Sequence, residues 1–203
     1  MPSQQTKVSK KHPISLLEQL HPHQLALYLA MFGSGILFLF IMIAHFATRS
    51  PQEVFIVSNY FSYSTSILLF SSYPIARLMM AYIREEGRKM ISGLSIASFA
   101  GSIFVLLQLI GWSDMIGQGQ DMTGRSGGFL YVLSGLHLLH IVSVVIVSSF
   151  MMYQYAKRLV DPVKTLLLFN NPYEQIKLKM LMQAWVFLHM VWVIIYVYFV
   201  LLN

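Results

Sequence analysis

Apolar side chains gather along the chain in five long runs, at about 24–46, 55–80, 91–112, 128–153 and 178–202, and the segments between them hold nearly all the charges. Crossing the hydrocarbon core of a bilayer takes about 20 helical residues, and every run reaches that length. None alternates every second residue as a barrel strand does. The pattern predicts an all-α protein, an integral membrane bundle of five transmembrane helices. It divides into a cytoplasmic N-terminal segment, 1–23, and a five-helix membrane domain, 24–203. Within the N-terminal segment, PISLLEQL sets Ile14, Leu17 and Leu20 on one side of a short helix opened by Pro13, a candidate to lie along the membrane surface. The first run is longer than a secretory h-region and has no small-residue cleavage site, so it is expected to persist as a helix.

Composition agrees with this reading. Hydrophobic residues make up 56% of the chain and charged residues 11%, against roughly 25% charged in soluble domains. Cysteine is absent, which excludes disulfides, thiolate metal sites and cysteine nucleophiles. Residues 111 to 128 contain six glycines with no preceding strand, so they are expected to form a flexible loop and not a phosphate-binding turn.

Charge sets the orientation. With five crossings, the N-terminal segment and the loops after the second and fourth helices share one face. That face carries twelve basic and five acidic residues, net +7, while the other carries two basic and three acidic, net −1. Basic loops stay in the cytoplasm, which predicts a bacterial inner-membrane protein with a cytoplasmic N-terminus and Asn203 in the periplasm. The overall charge of +6 then reflects topology and anionic lipid, and nucleic acid is not an expected partner.

Ionisable groups at membrane depth are costly and mark candidate sites. They are His45, His137, His140 and His189, with Gln108 as a neutral addition; no Asp or Glu falls deep within a run. His45 is expected at an interface or facing lipid. His137 and His140 share a helix face with Ser134 and Gly135, a small-and-polar stripe of the kind that lets membrane helices approach and hydrogen-bond. The competing reading is a small membrane haem-binding electron-transfer protein, because the depths of His140 and His189 allow the two imidazoles to meet near the midplane as haem ligands. The hydroxyl-rich SYSTSILLFSSYP is expected to bond along and between helices, and Trp185 and Trp192 to pack.

With these residues laid out, the chain resembles subunit III of the haem-copper oxidases, the cytochrome c oxidase type, in a short five-helix form. Gly33 and Ser34 in LYLAMFGSGILFLF match that family's first motif helix, and STSILLFSS resembles its N-T-x-x-L-x-x-S-S stretch. Gln108 and Trp112, with Gly119, match Q-x-x-x-W followed by Gly. SGLHLLHIV is similar to T-G-x-H-x-x-H-V through Gly135, His137 and His140. AWVFLHMVWVIIY resembles Y-W-H-F-V-D-x-V-W through Trp185, Phe187, Val191 and Trp192. The departures fall at Gly35 and Gly111, where the family carries acids, and at Val186 and His189, where it has histidine and aspartate. The resemblance implies an accessory, non-redox subunit that carries no catalytic step, no cofactor-binding residue and no metal ligand. Haem and copper would reside in partner subunits I and II, and this chain would hold phospholipid and pack against subunit I and neighbouring respiratory-complex subunits. It also implies that the H-x-x-H pair fixes helix packing.

Overall fold

The structure, a computed structural model, describes residues 22–49, 57–120 and 125–202. The candidate surface helix at 13–20 lies outside these residues. Among the described residues six helices follow one another: α1 (Pro22–Thr48), α2 (Asn59–Ile83), α3 (Gly87–Gly117), α4 (Arg125–Arg158), α5 (Pro162–Asn170) and α6 (Pro172–Leu201). All but α5 are long and apolar enough to cross a membrane. The protein is an all-helical, multi-pass membrane bundle, with no strand among the described residues.

Most helices outrun the apolar pattern at their polar ends, because local capping extends them. Asp-Pro and Asn-Pro occur ten residues apart, and each starts a helix. Asp161 accepts from the Val163 N–H ahead of α5, and Asn171 from the Tyr173 N–H ahead of α6, with the proline in the first turn each time. Such a proline has no N–H to waste and a backbone angle already suited to the helix. Hydrogen bonds from the Lys164 side chain and the Val163 N–H hold the Asp161 carboxyl below the usual carboxylate range. Tyr82 closes the other end of α5, its hydroxyl lying 2.9 Å from the Leu168 carbonyl and 3.1 Å from that of Asn171.

The glycine-rich stretch at 111–128, expected as a loop, is mostly helix. Helix α3 runs on to Gly117 and α4 starts at Arg125. Gly119, at φ +80°, stops α3: its N–H reaches the Ile116 carbonyl and that of Gln120 reaches Met115, both at 3.0 Å. This six-to-one closure needs a left-handed residue, which glycine supplies without Cβ strain. The α2–α3 turn has the same geometry with Glu85, at φ 56°, in the left-handed position.

Lipid is as apolar as leucine, so the helices associate through close packing and hydrogen bonds more than through expulsion of water. Helix α3 is the hub, packed on both α2 and α4. Three of its glycines permit this. A Cβ at Gly93 would lie 2.8 Å from Leu78, one at Gly101 2.5 Å from Val145 and 2.8 Å from Trp185, and one at Gly111 3.0 Å from Phe61. Helix α1 is peripheral, packed mainly on α4 and α6, and it turns Leu29, Phe32, Phe40 and Phe46 outward.

Candidate functional site

Alternation of the spans brings hydroxyls, imidazoles and indoles of different helices to matching depths, where they join in rungs. Between α2 and α6, Ser62 meets the Tyr196 hydroxyl at 2.7 Å, and Trp192 Nε1 donates to Thr65 Oγ1 at 2.8 Å. One turn further, His189 completes the seam. Its Nδ1–H can donate to the Trp185 carbonyl (2.6 Å), which leaves Nε2 to accept from the Ser71 hydroxyl (2.9 Å); the Leu68 carbonyl lies 2.7 Å from the same nitrogen and would take the proton of the other tautomer.

Further rungs tie α2 to α3, where Gln108 Nε2 donates to Ser64 Oγ at 2.8 Å and Ser58 Oγ to Asp114 at 2.6 Å. Between α3 and α4, Trp112 Nε1 donates to Ser134 Oγ at 3.0 Å, and Ser98 to Ser148 at 2.9 Å. Several hydroxyls also donate to their own helix, as Thr65 does to the Phe61 carbonyl at 2.6 Å. The proton thus serves the helix while a lone pair serves the neighbour, the two uses expected of SYSTSILLFSSYP.

His137 stands where these seams converge. It is fully buried, and among the described residues neither ring nitrogen has a hydrogen-bond partner. Its surroundings are aromatic: Trp192 at 5.1 Å, Phe104 at 5.7 Å edge-on and Phe38 at 6.4 Å between ring centroids. Gln108 is also fully buried, and its Oε1 has no partner among the described residues. His140 is half-buried on the side of α4 toward α1. Its Nδ1 lies 2.7 Å from the Leu136 carbonyl and its ring 5.9 Å from Phe38.

The meeting of His140 with His189 that the competing haem reading uses therefore does not occur: one ring is turned to α1 and the other is held on α2. Nor does His189 pair with His137 or His140; Ser71 and Leu68 hold it instead. Two imidazoles so arranged do not present a facing pair for haem. Among the described residues, no three His, Asp or Glu side chains gather as a metal site would require.

His45, expected at an interface or facing lipid, is 3% exposed, with Nδ1 2.7 Å from the Tyr198 hydroxyl and the rings of Phe129 and Phe199 beside it. Its helix is peripheral, but this position faces inward. Trp185 and Trp192 are core residues, 0% and 1% exposed. Gly135 packs on Trp112, whose ring lies 3.6 Å from where a Cβ would stand. Ser34 bonds only to its own helix, through the Met31 carbonyl, and a Cβ at Gly33 would meet nothing within 4 Å.

The two glycines that depart from the resembled family abut rings. A Cβ at Gly35 would face Phe187 at 3.8 Å, and one at Gly111 would face Phe61. Among the described residues one acid is buried. Glu174, 4% exposed near the start of α6, bonds to Arg158 of α4 at 2.9 Å, with Lys177 and the Tyr155 hydroxyl each at 3.3 Å. The apolar run that begins at 178 leaves this residue in a loop, whereas the Asn-Pro cap ahead of it signals the earlier start of the helix. Arg49 donates to the Leu202 carbonyl at the far end of the bundle and so caps α6.

No family model matches the chain.

Proposed function

We propose that the protein is an accessory, non-redox subunit of a respiratory haem-copper oxidase of the subunit III type, which packs against the catalytic subunit, holds phospholipid and keeps that subunit active through many turnovers. The observation that carries this reading is the convergence of the resemblance-bearing residues on one another. His137 of the H-x-x-H pair rests on Trp192 of the last motif, Trp192 bonds to Thr65 in the serine-rich stretch, Gln108 bonds to Ser64 beside it, and Trp112 bonds to Ser134 and packs on Gly135. Residues shared with a family because they fix helix packing should touch in this way; ligands of a centre held in this chain would surround a common space. The outward apolar face of α1, with Gly33 open in its middle, is the flank on which we place the catalytic helices.

Basic loops stay on the cytoplasmic side. The ends of the bundle that carry Arg84, Arg88, Lys89, Lys157 and Lys164 are therefore cytoplasmic, in a bacterial inner membrane. The test is oxygen consumption by the purified complex with and without this chain, followed from the first seconds through prolonged turnover. Initial rates should survive and then decay faster without the chain. Equal decay would sink the stabilising role, as would purification of the tagged chain free of any haem-containing oxidase.

A further inference from the structure

At the basic end of the bundle, a groove of about 760 Å³ opens between the last half of α2 and the first turns of α3. Its rim is cationic, formed by Arg77, Arg84, Arg88 and Lys89 with Glu86 as the one acid, and its wall descends along Ala76 to Ile96. Lys89 is paired with Glu86 at 2.9 Å, while Arg77 lies over the Tyr73 ring at 4.6 Å. Among the described residues no carboxylate stands within salt-bridge distance of Arg77, Arg84 or Arg88. The groove is thus positive where a membrane protein meets the headgroup layer and apolar about 10 Å deeper, the helical distance from Lys89 to Ile96.

We propose that this groove is a specific site for an anionic phospholipid, with the phosphate among Arg84, Arg88 and Lys89 and one acyl chain along Ala76 and Ile96. The charge complementarity selects the anion, and the continuous apolar wall selects a ligand with a chain over a free phosphate. Two local features shape the groove. The Glu86 side chain makes no cap to the first turn of α3 and pairs with Lys89 instead. Pro74 and Gly93 bring the helices together below: a Cβ on Gly93 would lie 3.5 Å from the Pro74 carbonyl. The site deepens the lipid-holding part of the proposed function, yet it rests only on the membrane placement of the helices. A failed binding test leaves the oxidase assignment standing, and a failed turnover test leaves the groove standing.

The test is native mass spectrometry of the full chain released from detergent with phosphatidylglycerol or phosphatidylcholine of identical chains. Phosphatidylglycerol should be retained preferentially. A basic side chain beside an anionic headgroup contributes a factor of about five, so Arg84→Gln/Arg88→Gln should lower that preference about fivefold or more. Lys157→Gln/Lys179→Gln removes equal charge from exposed positions at the same end outside the groove and should leave the preference intact. Ala76→Trp, which fills the apolar wall and changes no charge, should cut retention of phosphatidylglycerol. Millimolar glycerol phosphate should not displace the lipid. An unchanged preference in the arginine variant, an equal loss in the lysine control, displacement by glycerol phosphate, or indifference to Ala76→Trp would each overturn the site.

Discussion

Replacing Thr65 by valine keeps the side chain's shape and removes one oxygen. In the structure that oxygen accepts the Trp192 N–H at 2.8 Å, and the indole is 1% exposed in a setting of Phe61, Phe104 and His137 rings. The N–H would lose its partner with no water at hand, and a buried donor left unsatisfied costs about 1–3 kcal/mol. Within a membrane the unfolded reference also finds partners, and measured pair energies average about 0.6 kcal/mol with a maximum of about 1.7. Among the described residues the Trp192 N–H bonds to no acceptor besides Thr65, so the upper part of that range applies, and we expect a loss of about 1–1.5 kcal/mol. The assay is equilibrium unfolding of the reconstituted chain in mixed lipid–detergent bicelles titrated with SDS, run as a double-mutant cycle with Trp192→Phe. Ser66→Ala serves as control, since Ser66 is exposed and bonds only to the Ser62 carbonyl of its own helix. A coupling energy indistinguishable from zero, or a loss at Ser66 as large as at Thr65, would refute the claim that interhelical rungs hold this bundle.

Three further outcomes follow from particular contacts. Gly101→Val should destabilise the bundle by about 1–3 kcal/mol in the same titration, because its Cβ would stand 2.5 Å from Val145 and 2.8 Å from Trp185, whereas Gly33→Val, with open space around it, should change little. Glu174→Gln weakens the joint with Arg158 and Lys177, partners that are 36% and 35% exposed. Screened at that exposure, the loss should be about 1–2 kcal/mol rather than the 3–5 of a fully buried pair, and the difference should shrink with added salt. Single cysteines replacing Lys89, Lys164, Asp121 and Asn203 should divide two and two in labelling by an impermeant maleimide; labelling of the first and third from one side would contradict five crossings.

The sequence alone determined the number of long helices, their approximate positions and the uneven distribution of charge between the two ends, because each depends on local composition read against the fixed thickness of a bilayer. It also singled out Gln108, His137, His189, Trp185 and Trp192 as polar or bulky groups at depth. Their partners were decided only by the tertiary structure. Periodicity shows that His189 lies on a helix, but its rotation toward Ser71 and Leu68, and not toward His140, depends on how α2 seats against α6. His45 illustrates the same point: a residue near the end of a peripheral apolar helix reads as an interfacial group until Tyr198, 153 positions away, is brought to its ring. The buried joint at Glu174 and the short α5 were partly legible in the Asp-Pro and Asn-Pro caps, which act locally, yet hydropathy is blind to them. The α2–α3 groove had no local signature, since a cationic rim and an apolar wall drawn from two helices become one surface only when Gly93 lets those helices close below it.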